Sequence, residues 1–141
     1  MDTLFEEYKD KELVNSGVGY FINYLNILEG YKTKIKNMHW AAFGLNIHVK
    51  LDDLLGTLDG YQDSIAEDCM GIYGKMAPNV ISGVACSHID PLSTLEGLKE
   101  KVITFYDGLE IKAEMSGIKS ETEVFIHDLN KFTYLFKLSK G

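Results

Sequence analysis

From about Leu45 to Tyr73 the chain runs without a proline, and its apolar residues Leu51, Leu54, Leu55, Leu58, Ile65 and Ile72 recur at helical spacing. A helix turning about 100° per residue gathers them into one stripe, so this stretch is expected to form a single long helix against a core. Lys50, Asp53, Thr57, Ser64 and Asp68 fall on the other side, the expected water face. His48, Asp52, Asp63 and Glu67 occupy a third face between these two, within an arc of roughly 100°. Such an intermediate face suits an interface or the lining of a cavity.

Imidazole and carboxylate on one face are ligands that a transition metal such as iron accepts. His48 and Asp63 are, however, roughly 22 Å apart at about 1.5 Å rise per residue, so no single ion reaches both pairs of one chain. If the helix packs antiparallel against its own copy, the His48/Asp52 end of one chain meets the Asp63/Glu67 end of the other. A two-fold interface is self-complementary and would create two identical shared sites. Its midpoint falls near Gly56, Thr57 and Gly60, where small residues would let two backbones approach, with Asp59 on the same turn. Against this stands a plainer reading, in which each acid, taken alone, is a solvated surface group.

The remaining pattern is helical too. Helices are expected over about Gly17–Met38 (Phe21, Ile22, Leu25, Leu28, Tyr31 and Ile35 inward) and about Ser93–Met115 (Leu95, Leu98, Val102, Tyr106 and Leu109 inward). Another is expected over about Ser120–Leu138, with Ser120 as cap and Val124, Leu129, Phe132, Leu135 and Phe136 in the core. Gly44 and Gly117 mark short turns, whereas residues 74–92 could travel the length of a bundle, with a short helix around Val80, Ile81, Val84 and Ala85. One long crossover between the second and third helices is the ferritin-type arrangement. The only prolines, Pro78 and Pro91, lie in that connection, and no hairpin signal or sustained alternation points to a sheet. The expected fold class is all-α, in a single domain spanning residues 1–141.

At the ligand residues the chain resembles a known family. His39-Trp40, followed by His48, Asp52, Asp63 and Glu67, is similar to the pattern of the Dps mini-ferritins, the DNA-binding proteins from starved cells. There a His-Trp pair closes the first helix, and the second carries His-x-x-x-Asp and then Asp-x-x-x-Glu. The resemblance implies a ferritin-like bundle in which His39, His48 and Asp52 of one chain bind iron, up to two ions per site, together with Asp63 and Glu67 of a neighbour. Trp40 would stand beside the iron as an electron donor. The resemblance further implies oxidation of Fe²⁺ by hydrogen peroxide or dioxygen, storage of the ferric product in a hollow dodecamer of two-fold dimers, and protection against oxidative stress. The chain departs from the family in a shorter His39–His48 stretch and in Ala66-Glu67-Asp68, where the family usually reads Ala-Glu-Arg. The alternative is a ferritin-like shell protein that has lost ferroxidase activity.

Other features narrow the choice. No glutamate has a histidine three residues later, which excludes the paired Glu-x-x-His motifs of an iron site inside one bundle. Glu123 and His127 form an i, i+4 pair with no second copy, and His88 reads as a loop histidine. Cys69 and Cys86 have no metal or redox spacing and are expected to be free thiols. Glu110, Glu114, Glu121 and Glu123 are candidate pore or inner-wall residues, or equally an outer solvated surface. A formal charge of −7 suits a container for cations and opposes general attraction to nucleic acid. Residues 1–16 are acidic, and Lys131, Lys137 and Lys140 form only a weak basic tail, so no strong DNA binding is expected. No apolar run spans a membrane and the acidic start is no secretory signal; a cytoplasmic protein is expected.

Overall fold

The computed structural model describes residues 17–139, so the acidic segment 1–16, Lys140 and Gly141 lie outside the described residues. Four α-helices follow in order: α1 Gly17–Ala41, α2 Leu45–Tyr73, α3 Pro91–Asp107 and α4 Ser116–Leu138, the last preceded by a 3-10 turn at Ala113–Met115. The described residues contain no strand.

Their directions follow from which residues meet. Tyr24 bonds to Tyr61, and His39 meets His48, so α1 and α2 are antiparallel. Tyr20 reaches Phe105 while Met38 meets Thr94, so α1 and α3 are antiparallel as well. Tyr61 and Ser64 touch Thr122 and Glu121, and Ile47 lies with Phe136 at the other end, which sets α4 antiparallel to α2. It follows that α2 and α3 run the same way. Residues 74–90 must therefore return along the bundle, as the length of that connection led one to expect.

The crossover carries no helix over Val80, Ile81, Val84 and Ala85, contrary to the sequence expectation. The reason is a competing set of partners on α1. Asn26 Oδ1 accepts from the backbone N–H of Ser82 (2.8 Å) and Gly83 (3.0 Å), Asn26 Nδ2 donates to Val80 O (3.0 Å), and Val84 N–H donates to Asn26 O (3.0 Å). Backbone groups served this way gain little by coiling locally. Gly30 makes the approach possible, because a Cβ there would lie 1.7 Å from Val84 O.

The core takes Phe21, Leu25, Leu28 and Ile35 from α1, Leu51, Leu54, Leu58 and Ile65 from α2, Leu95, Leu98 and Val102 from α3, and Ile118, Phe125 and Leu129 from α4. Two boundaries differ from the sequence reading. Helix α3 stops at Asp107; the Leu109 N–H turns back to Tyr106 O, three residues earlier, and tightens the chain out of the α-helix. Helix α4 starts earlier, at Ser116, so Gly117 lies inside it and Ser120 caps nothing. With that register Ile118, Thr122 and Phe125 point inward, and Val124, an expected core residue, is exposed. Phe105 likewise takes the inward place expected of Tyr106, whose hydroxyl donates to Glu123. Among the described residues no helix is long and apolar enough to cross a membrane.

Candidate metal centre

The end of α1 and the start of α2 converge on a histidine pair. Gly44, at φ +89, turns the chain within a few residues, a conformation that a side chain would strain. His39 Nδ1–H donates to the His48 carbonyl (3.0 Å), and His48 Nδ1–H donates to the His39 carbonyl (2.9 Å). A carbonyl only accepts, so this reciprocal bonding requires a proton on Nδ1 of both rings and leaves Nε2 as the nitrogen through which either could ligate an ion. The rings stack with centroids 3.9 Å apart. His39 Nε2 stands 4.0 Å from Asp52 Oδ1, too far for a hydrogen bond. Two ligand atoms on one ion with bonds of about 2.1 Å stand roughly 3.0–3.4 Å apart at the usual angles, so the Asp52 carboxylate would have to swing inward to share an ion with His39.

Three of the sequence-selected residues thus meet, although the stretch between His39 and His48 is short. Asp63 and Glu67 do not join them; both are exposed farther along α2. Among the described residues no group of three His, Cys, Asp or Glu side chains is placed to hold one ion. Trp40 follows His39 and is 69% exposed, with Lys36 Nζ 5.8 Å from its ring centroid. Exposed positions along α2 form one continuous ridge: Val49, Asp52, Gly56, Gly60, Asp63, Glu67 and Gly71. A Cβ placed on Gly56 or Gly60 would touch nothing within 4 Å. Nothing inside the chain therefore calls for glycine at these helical positions, where alanine is better by about 1 kcal/mol.

Sequence reasoning missed the polar seam beside this ridge. Lys32 Nζ donates to Asp59 Oδ1 and Gln62 Oε1, each at 2.8 Å, and lies 3.4 Å from Glu29 Oε1. Burial works to lower the Lys32 pKa, but the hydrogen bond to Asp59 and the charges of Glu29 and Asp59 outweigh it and hold it up. The network borders Asp63, with which Glu29, Lys32 and Asp59 line a common groove. No spacing rule links residues 29, 32, 59 and 62 before α1 and α2 are paired.

The expected water face of α2 needs correction as well. Ser64 and Asp68 face α4: Ser64 Oγ donates to Glu121 Oε2 (2.5 Å), and Glu121 Oε1 is shielded from solvent. The Asp68 pKa is pushed up to about 6, first by burial, then by hydrogen bonding to Glu121 and by the charges of Glu121 and Glu67. Of the other candidate wall acids, Glu110 and Glu114 flank Lys112 at 3.2 and 3.3 Å. Glu123 accepts from Tyr106, and His127 is exposed on the same helix. His88 is more than a loop histidine, since its Nε2 pairs with the Tyr31 hydroxyl at 3.1 Å. Cys69 is a buried free thiol whose pKa burial pushes up to about 12, and Cys86 is a half-buried one.

No family model, curated protein or solved structure matches this chain.

Proposed function

We propose that this chain is an iron-oxidising mini-ferritin of the Dps type, with a ferritin-like bundle that completes its ferroxidase site by pairing with a second copy. The observation that carries this reading is the reciprocally bonded His39/His48 pair beside Asp52, a residue that shares the exposed ridge of α2 with Asp63 and Glu67. An antiparallel partner helix on that ridge brings its Asp63 and Glu67 to the histidine end. The glycines at the centre of the ridge, unexplained within one chain, allow the helices to close in. The parallel α2 and α3 with their long crossover agree with the same family.

The two Nε2 atoms and the carboxylates hold Fe²⁺ as substrate, and the pairing strips water from a site half open in the single chain. Two ferrous ions then supply both electrons to one peroxide: 2 Fe²⁺ + H₂O₂ + 2 H⁺ → 2 Fe³⁺ + 2 H₂O. Two-electron reduction avoids release of hydroxyl radical. Trp40, the sequence neighbour of His39, is the electron donor in this reading. Storage in a dodecameric shell and protection against oxidative stress complete the reading, with dioxygen as the alternative oxidant.

The test is anaerobic Fe²⁺ titration of the purified protein, followed by hydrogen peroxide while ferric absorbance is recorded. The expected result is saturable binding of up to two irons per chain and a ferric product that stays in solution. Asp63→Asn combined with Glu67→Gln should remove the rate above buffer. Absence of saturable binding in the assembled protein would leave only a ferritin-like shell without catalysis.

A further inference from the structure

Three oxygen atoms from two helices converge on one ammonium. Lys32 on α1 points its Nζ at Asp59 Oδ1 and Gln62 Oε1 on α2, at 2.8 Å each, and at Glu29 Oε1 of its own helix at 3.4 Å. Gln62 makes the cluster more than a surface ion pair. Its amide is buried, and both of its N–H groups are committed: Nε2 donates to Glu29 Oε1 at 2.9 Å and to Leu25 O at 3.3 Å. That commitment turns Oε1 toward Lys32 and holds the Glu29 carboxylate in place as well. Against burial, the hydrogen bond to Asp59 and the charges of Glu29 and Asp59 keep the ammonium in its charged form. A pin between two helices needs one donor and one acceptor. A carboxylate from each helix and a fixed amide carbonyl, gathered on one point, are instead the oxygen set that a hard cation takes.

We propose that Lys32 is a tethered counter-ion that fills a cation cradle made by Glu29, Asp59 and Gln62, and so keeps Fe²⁺ out of the groove beside the shared site. The purpose rests on the ferroxidase reading; the cradle itself does not. The groove measures about 320 Å³ and holds Asp63 together with Glu29, Lys32 and Asp59, so an ion drawn to Asp63 comes close to the cradle. The three oxygens surround one position, so a ferrous ion held by them would be a single iron. With hydrogen peroxide it could give only one electron: Fe²⁺ + H₂O₂ → Fe³⁺ + OH⁻ + •OH. The iron is oxidised, the O–O bond breaks, and one fragment leaves as hydroxide and the other as hydroxyl radical. The shared site supplies two electrons at once and forms water instead. A tethered ammonium has the charge of a cation and no redox chemistry. Lys32 thus determines which of the two reactions a bound iron undergoes, without being a ligand itself.

The first measurement needs no iron. Mn²⁺ carries the charge of Fe²⁺ and accepts carboxylate and carbonyl oxygens, and its binding to the iron-free protein is counted by electron paramagnetic resonance of the free ion. Lys32→Met keeps the stem of the side chain and removes the ammonium, so it should bind one more Mn²⁺ per chain than the wild type. Adding Gln62→Leu should abolish the extra ion, and Lys32→Arg should bind no more than the wild type. Lys32→Gln repeats the comparison should the methionine variant fail to fold. The second measurement adds Fe²⁺ and hydrogen peroxide with a spin trap, and Lys32→Met should release severalfold more hydroxyl radical per iron than the wild type. Equal Mn²⁺ counts in the wild type and the folded neutral variant would overturn the proposal and leave Lys32 a strut between α1 and α2. An extra ion that survives Gln62→Leu would overturn it too, as would an extra ion without a rise in trapped radical. An extra Mn²⁺ in Lys32→Met, found where the wild type binds no Fe²⁺, would support the cradle and remove the ferroxidase reading, so the two fail separately.

Discussion

At the scale of single residues the histidine pair makes the sharpest claim. Each ring is oriented by the other residue's backbone carbonyl, which survives substitution, so His39→Ala removes one Nε2 and one stacked ring but leaves His48 its hydrogen bond. Losing a ligand should weaken Fe²⁺ binding by more than the roughly tenfold that loss of an orienting partner costs a metal site. His48→Ala should do the same; isothermal titration of both variants reads it. Asp68 supplies a second prediction. Its folded pKa is raised from the ordinary 3.8 to about 6, so the folded chain keeps a proton that the unfolded chain has released. Stability contributed by this group falls as pH rises between those values, and the penalty is complete above about pH 6. Asp68→Asn should raise the melting temperature near neutral pH, by the equivalent of about 1 kcal/mol once partial exposure is allowed for, and change little below about pH 4. That His48 and Asp52, and likewise Asp63 and Glu67, lie one turn apart on α2 was legible because i, i+4 spacing on a helix is a local rule. The burial of Ser64 and Asp68 was not, because an arc of α2 reads as a water face until α4 is laid against it.

At the scale of elements, α2 matched its sequence boundaries from Leu45 to Tyr73, since one unbroken apolar stripe and two glycines delimit it. The end of α3 was misjudged because Leu109 continues the apolar period and is buried, yet it is reached through a turn instead of another helical turn. The crossover was misjudged for the opposite reason. Val80, Ile81, Val84 and Ala85 show helical spacing, but their backbone is bonded by Asn26, a partner far off in sequence. Asn26→Ala removes three of these hydrogen bonds and should cost roughly 2 kcal/mol, at about 0.5–1.5 each, readable by urea denaturation. Gly30→Ala should cost more than a helical glycine ordinarily returns, because its Cβ would overlap Val84 O.

At the scale of the whole molecule, one chain carries a complete core but, on the proposed reading, only half of each site. Gly60→Leu should then leave helicity intact, since space around residue 60 is open within the chain, while it lowers the oligomeric state seen in sedimentation and with it the ferroxidase rate. A variant that stayed assembled and active would place the contact elsewhere. The fold's direction was legible from connection lengths alone: a short turn, a long return, a short turn. What locks the long return in place has a use outside this chain. Asn26-x-x-x-Gly30 on one helix, answered by Gly83 at φ +103 in the crossover, is a fingerprint written in backbone geometry and not in chemistry. A distant cousin could exchange every histidine and carboxylate of the metal centre and still be traced by that clasp.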